Sequence, residues 1–190
     1  MPSFEEDRAR LKDAIRKFSY RENHEEPFTL ASGKKSPYYF DLKQTLLQPE
    51  YLALAGRVVA GQIAQQYSGE VVTAGLTMGA DPIIYAACLA AGIPARLIPA
   101  IVRKEAKDHG TGKKIEMLKG ISPSVPCVMI DDVITTAGST LKAFSAMKEA
   151  GFSVKHAYCI LDRGEGGREA LKENGVELQP VFTAAEFREK

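Results

Sequence analysis

The sequence predicts an α/β fold, a parallel β-sheet flanked by helices with an N-terminal cap. From about residue 70 onward, segments with strand character alternate with segments of helical periodicity. Some predicted strands, such as 127–130, are continuously apolar, which is typical of parallel strands covered on both faces. The length of 190 residues favours a single domain, 1–190, which we divide into a cap at 1–45 and an α/β core at 46–190.

The first 67 residues contain two predicted helices with strands between them. Ser3 and Glu6 have the spacing of a capping box, and an apolar stripe then predicts a helix to about Tyr20. The segment FTLASGKKSPYYFDL predicts a hairpin or an irregular pair of strands. Pro49 suits the first turn of a helix over about 49–67.

The rest of the chain is predicted to alternate between strands and helices. The predicted strands are VVTAGL, ARLIPAIV, CVMID, VKHAYCILD and VELQPVF. Helices are predicted over 80–91, 138–150 and 165–174, the first ended by Gly92 and the second by Gly151. A charged loop over 103–114 follows the second strand. Strands that alternate with helices in this way indicate a parallel sheet.

Composition and charge argue against several classes of protein. The 25 basic and 24 acidic residues leave a net charge of +1, so no global charge indicates binding to nucleic acid or to a membrane. Acidic residues stand where a secretory signal needs basic ones, and prolines interrupt the longest apolar region, 83–102. Cys88, Cys127 and Cys159 lie in apolar runs without metal-ligand spacing. They predict reduced core thiols, a cytoplasmic location and no metal site built from protein ligands alone.

The segment VMIDDVITTAGST, at 128–140, has the clearest chemistry. Asp131 and Asp132 end a predicted strand, and small, hydroxyl-bearing residues then lead into a helix. The N–H groups at a helix N-terminus bind phosphate, and carboxylates accept hydrogen bonds from a sugar diol. The segment therefore predicts a site for a ribose 5-phosphate at the carboxyl edge of the sheet. The plainer alternative is a helix N-cap with solvated aspartates; the P-loop and GxGxxG patterns are both absent.

A basic segment, RKEAKDHGTGKK at 103–114, directly follows the strand ARLIPAIV. Its position places it at the same edge of the sheet as the predicted phosphate site. A basic loop that contains glycines suits a lid that closes over a polyanion. The alternative is a solvated charged loop.

These segments resemble the type I phosphoribosyltransferase family, and its orotate-specific branch in particular. VMIDDVITTAGST resembles the family motif for phosphoribosyl pyrophosphate (PRPP), and RKEAKDHGTG is similar to the catalytic loop of the orotate branch. FTLASGKKSPYYFD is similar to the N-terminal signature of that branch, GLTMGADP to its pyrophosphate loop, and LDR, at 161–163, to its strand beside the base. The resemblance covers roughly residues 25–165.

The resemblance implies a type I phosphoribosyltransferase-like fold with an N-terminal hood, together with a reaction and a set of site residues. The implied reaction transfers ribose 5-phosphate from PRPP to orotate, with Mg²⁺ as cofactor, in pyrimidine biosynthesis. Roles in catalysis are implied for Arg103, Lys104, Lys107, His109, Asp131 and Asp132. The same residues are implied to bind PRPP, together with Val133, Ile134, Thr135, Thr136, Ala137, Gly138 and Ser139. Orotate binding is implied for Thr135, Arg163, Tyr39, Phe40 and Lys35.

The family pattern also implies a homodimer, because its basic loop reaches the active site of the partner subunit. Three positions depart from the pattern: Ala31 and Gly79 stand where relatives carry lysine, and Ala137 stands where glycine is common. Lys35 is a candidate to compensate for Ala31. Two other functions remain open, a phosphoribosyltransferase for another base and a PRPP-sensing regulator, although the intact basic loop argues against the regulator.

Overall fold

The computed structural model describes residues 3–29, 35–90, 95–105 and 114–188. The helices are α1 (Phe4–Phe18), α2 (Lys43–Leu46), α3 (Pro49–Ala64), α4 (Asp81–Cys88), α5 (Gly138–Glu149), α6 (Gly167–Glu173) and α7 (Ala185–Arg188). The strands are β1 (Tyr20–Glu22), β2 (Phe28–Thr29), β3 (Lys35–Ser36), β4 (Tyr38–Phe40), β5 (Gly69–Leu76), β6 (Ala95–Val102), β7 (Ile115–Met117), β8 (Cys127–Ile134), β9 (Val154–Asp162) and β10 (Glu177–Thr183).

A six-stranded sheet forms the centre of the fold, with strand order β10-β9-β8-β5-β6-β7. All neighbouring pairs are parallel except β6 and β7, which are antiparallel. The predicted parallel sheet flanked by helices is therefore confirmed. The sequence did not predict β7, because three half-buried residues carry too little hydrophobic periodicity.

Each helix layer packs against one face of this sheet. On one face, α3 and α4 cover alternate strand residues such as Val128 and Ile130, and α1 packs on α3. On the other face, α5 and α6 cover the intervening residues, such as Cys127 and Met129. This division follows from the two-residue period of a strand. Because β5 leads to α4 and β8 leads to α5, the chain changes faces between these two neighbouring strands, and ligands bind in the crevice at such a point.

The N-terminal segment is joined to the core by packing and by an ion pair. The predicted capping box of α1 is confirmed: the Ser3 hydroxyl accepts from the Glu6 N–H, and the Ser3 N–H donates to the Glu6 carboxylate. The Arg57 guanidinium of α3 donates twice to the buried Asp7 carboxylate, at 2.8 and 3.1 Å. β2 and β3 form an antiparallel pair within the predicted segment, but its aromatic run, β4, pairs instead with β1, which was not predicted.

In the described part of the chain, no helix has the length and apolar character needed to cross a membrane.

Candidate active site

The carboxyl ends of four neighbouring strands lie along one edge of the sheet. In spatial order, β9 leads into Arg163, β8 into the loop at 135–137, β5 into the loop at 77–80, and β6 into Arg103. The sheet order thus brings together segments that are far apart in the sequence. The predicted site residues before β5, namely Lys35, Tyr39 and Phe40, belong to the N-terminal cap.

The Asp131 carboxylate is buried against the start of α5. One of its oxygens accepts hydrogen bonds from the Ser139 hydroxyl at 2.9 Å and from the Thr140 hydroxyl at 2.8 Å. The other accepts from the Asp132 N–H at 3.1 Å. Burial, and secondarily the Asp132 charge, raise the pKa of Asp131 to about 6, and the hydrogen bonds oppose this rise. Asp131 therefore fastens the end of β8 to the first turn of α5.

Asp132 turns to the opposite face of β8, as expected for the next residue in a strand. Its side chain is half-buried beside the β5–α4 loop, so that a Cβ added at Gly79 would lie 3.0 Å from Asp132 Oδ1. The same oxygen accepts a hydrogen bond from the Val133 N–H at 2.8 Å. Gly79 thus allows the loop to approach the carboxylate closely.

The phosphate-loop candidate begins at Thr135, as the sequence predicted, although the strand before it ends three residues later than the predicted strand CVMID. β8 continues through Val133 and Ile134, and Thr135 is the first residue beyond it. Ala137 adopts a left-handed conformation, with φ of 63°, at the N-cap of α5. This conformation favours glycine, since a Cβ makes it costly. An alanine at the N-cap offers no side-chain acceptor to the first-turn N–H groups, so they can serve an anion.

Arg163 is held beside this loop by its backbone and paired through its side chain. Its N–H donates to the Ile134 carbonyl at 2.9 Å, and its Nη2 lies 2.9 Å from Glu165 Oε1. Gly167, in the first turn of α6, packs so tightly on the same loop that an added Cβ would lie 2.5 Å from the Thr135 carbonyl oxygen. The loop is therefore supported from β9 and α6 as well as from α5.

The predicted base-site residues of the cap have different surroundings. Lys35 is exposed on β3, and the half-buried Tyr39 ring lies 5.4 Å from the Phe28 ring, centroid to centroid. Phe40 is buried, and its ring packs against those of Tyr20 and Phe187 at 5.0 and 5.4 Å. Phe40 is thus a core residue, and its contacts give no support to the predicted place in a base pocket.

Only the first part of the basic segment lies within the described residues. Arg103 donates through Nε to Glu116 Oε1 of β7 at 3.1 Å, and its Nη2 lies 3.0 Å from the same oxygen. Lys104 is exposed. Lys107 and His109 lie outside the described residues, as does Ala31.

Three residues at this edge were not predicted from the sequence: Thr140, Glu116 and Glu165. Thr140 could have been found, because it lies in the first turn of α5, which contacts the Asp131 carboxylate of β8. The other two are partners of predicted arginines, and only the fold shows that their carboxylates reach those arginines.

In this mostly parallel sheet, the central strand β8 runs through paired acids into a small-residue loop at a helix N-terminus, and an N-terminal cap precedes the sheet in the chain. This is the arrangement of the type I phosphoribosyltransferases. No protein-family model matches the chain. Known proteins do. An orotate phosphoribosyltransferase of Leptospira biflexa is 43% identical over 178 residues, which cover 91% of this chain and 93% of the relative. One from Aquifex aeolicus is 38% identical over 182 residues, covering 95% and 97%.

The solved structures agree with these relatives. Orotate phosphoribosyltransferase of Mycobacterium tuberculosis, in complex with PRPP, matches with a TM-score of 0.75 and 30% identity, covering 96% of this chain and 99% of that one. The chain belongs to the orotate phosphoribosyltransferase family.

Proposed function

We propose that the chain transfers ribose 5-phosphate from PRPP to orotate, giving orotidine 5′-monophosphate and pyrophosphate for pyrimidine nucleotide synthesis. The observation that carries the proposal is the end of β8. There, a carboxylate facing the sheet crevice, Asp132, lies next to a loop and helix N-terminus whose N–H groups have no side-chain cap. Family membership and the basic residues at the end of β6 support the same reaction.

In the proposed complex, two neighbouring regions take the two halves of the ribose phosphate. The loop at 135–139 and the first turn of α5 bind the 5-phosphate, which is favourable at a helix N-terminus. Asp132 accepts hydrogen bonds from the ribose hydroxyls. Asp131 holds the first turn of α5 against β8, and so positions the phosphate site relative to Asp132. The β5–α4 loop and the basic segment face the pyrophosphate.

The reaction breaks the bond from C1 of the ribose to pyrophosphate and forms a bond from C1 to a ring nitrogen of orotate. Positive charge then grows on the ribose and negative charge on the leaving group. The chain contributes positioning and electrostatic stabilisation, for which Arg103, Lys104, Lys107 and His109 supply positive charge near the leaving pyrophosphate. Arg163 pairs with the orotate carboxylate, a geometry that suits a guanidinium, beside Thr135 and Tyr39.

The residues of the site are compatible with a Mg²⁺ ion that would be coordinated mainly by the substrate and by water. Among the described residues, no three His, Cys, Asp or Glu side chains cluster as a metal site. Mg²⁺ commonly uses one or two carboxylates with substrate phosphates and water, and the half-buried Asp132 is suitably placed for that role. The ion would neutralise charge on the pyrophosphate when bound.

We also propose a homodimer in a cytoplasmic setting. α3 and α4 line a groove of about 410 Å³ that includes Leu52, Pro82, Tyr85 and Leu89, which we call the α3–α4 face. Leu89 is 84% exposed, and Met78, on the loop that leads into α4, is 78% exposed. Exposed apolar surface of this kind marks an interface, and a second copy placed here would lie beside the active edge. The free cysteines, of which Cys127 and Cys159 are buried, suit a reducing compartment.

The proposed function is tested by a spectrophotometric assay of orotate consumption with PRPP and Mg²⁺. Uracil, hypoxanthine and adenine serve as competing bases in parallel reactions. We expect turnover of orotate alone. Turnover of another base without orotate would contradict the proposal, and binding of PRPP without any turnover would favour a sensor.

A further inference from the structure

The guanidinium of Arg163 is paired with a carboxylate of its own chain. Its Nη2 lies 2.9 Å from Glu165 Oε1, and the Arg163 side chain is 14% exposed against 33% for Glu165. The arginine is thus the more buried partner. A buried charge is costly without a counter-ion, so an anion at this position stabilises the arginine in the absence of ligand.

The backbone conformation around Glu165 places its carboxylate beside the Arg163 guanidinium. Gly164 and Gly166, on either side, have φ of 68° and 93°, a conformation that favours glycine. The Gly164 N–H donates to the buried Asp162 carboxylate at 2.9 Å, and Gly167 is packed on the Thr135 carbonyl. The turn is held at both ends, so the contact between residues 163 and 165 is set by the backbone.

We propose that Glu165 is a resident counter-ion that the orotate carboxylate must replace, and that this competition weakens orotate binding and sets the KM for orotate. The inference rests on the proposed role of Arg163 in binding that carboxylate. When orotate binds, its carboxylate replaces that of Glu165, so the Arg163 guanidinium remains paired. A neutral base such as uracil brings no anion to exchange, so the Arg163–Glu165 pair persists and the base gains nothing from the arginine.

Replacing the counter-ion tests the proposal through the KM for orotate. Glu165→Gln keeps the size of the side chain but removes its charge, and Glu165→Ala removes its oxygens as well. For both variants we expect the KM for orotate to fall about fivefold, which corresponds to the free energy of a partly exposed ion pair. The KM for PRPP should stay within about twofold of its value in the unmodified protein. The inhibition constant of uracil should not change. Glu169→Gln, an exposed acid on α6, is the matched control and should leave all three constants unchanged.

The opposite outcomes are equally specific. A rise in the KM for orotate in both variants would mean that Glu165 orients Arg163, and an unchanged KM would mean that the pair has no role in binding; either overturns the proposal. In an Arg163→Gln background, Glu165→Gln should no longer lower the KM. Failure of the proposed function is distinguishable, because the unmodified protein would then not consume orotate at all.

Discussion

Asp131 and Asp132 are adjacent in the chain but lie in different surroundings. The Asp131 carboxylate is buried among hydroxyl donors on the α5 face, whereas Asp132 lies beside Gly79 on the α4 face. The same substitution should therefore have a different kind of effect at Asp131 than at Asp132. We assign ligand contact to Asp132 and positioning of α5 to Asp131.

Asp131 should make folding stability depend on pH. Its pKa is raised from 3.8 to about 6 in the folded protein, chiefly by burial. Between these values the folded state binds more protons than the unfolded state. Stability from this group is therefore fully present below about pH 4 and is lost as the pH rises through about 6. Asp131→Asn removes this loss, so its stability relative to the unmodified protein should improve by about 2 kcal/mol from pH 4 to pH 7.

Urea unfolding at pH 4.5, 5.5 and 7 without ligand measures the difference directly. Parallel pH curves for the unmodified protein and Asp131→Asn would contradict the assignment.

At the scale of residues, the sequence predicted which segments meet at one edge of the sheet but not the contacts between their side chains. The motif around Asp131 was recognisable because its residue types suit sugar and phosphate binding. The pairing of Arg163 with Glu165 was not predictable, because it depends on two glycines with positive φ that turn the side chain back. The burial of Phe40 was missed because its partner Phe187 belongs to a C-terminal helix of four residues.

At the scale of elements, α6 acts as a support for the phosphate loop. Gly167 has no space for a side chain, since an added Cβ would lie 2.5 Å from both Ile134 Cγ2 and the Thr135 carbonyl oxygen. Its backbone therefore fixes how closely α6 approaches the loop that follows β8. We expect the position of this helix to control PRPP binding although α6 supplies no ligand contact of its own.

Gly167→Ala should push α6 away from the loop and weaken PRPP binding. We expect kcat/KM for PRPP to fall about tenfold and the free energy of unfolding to fall by about 2 kcal/mol. Gly61→Ala is the control, because its added Cβ meets only the Phe4 ring edge, at 3.3 Å. Steady-state kinetics and urea unfolding measure both quantities. A Gly167→Ala variant with unaltered kcat/KM would contradict the supporting role.

Element prediction from the sequence succeeded where segments were long. β6 and β9 match the predicted strands ARLIPAIV and VKHAYCILD residue for residue. The unpredicted elements β1, β7, α2 and α7 have three or four residues each, too few to show a period. They form through tertiary contacts, such as the pairing of β1 with β4 and of β7 with β6.

At the scale of the whole molecule, the proposed dimer predicts complementation between two defective chains. Lys107→Ala disables the basic segment, and Asp132→Asn disables the ribose site. If each basic segment serves the partner's site, an equal mixture should regain about a quarter of the normal activity, because half of the dimers are mixed and each has one intact site. Activity is measured after the chains have exchanged subunits.

A third substitution separates dimer formation from catalysis. Leu89→Glu places a charge on the α3–α4 face, which should produce monomers by sedimentation and prevent the regain of activity when it is present in both chains. No regain from the two-variant mixture would show that the segment acts on its own subunit. A Leu89→Glu protein that stays dimeric would place the interface elsewhere.

The opposite orientation of Asp131 and Asp132 limits how the length of the chain can vary. Deleting or inserting one residue within β8 would exchange the two faces from that point on, sending the anchoring acid into the crevice and the ligand-facing acid into the core. β8 has one register irregularity, between Cys127 and Val128, and beyond it the pairing with β9 holds the register through Ile134. Natural insertions and deletions among relatives should therefore lie in the connections around β8, while the distance from Cys127 to Ile134 stays constant.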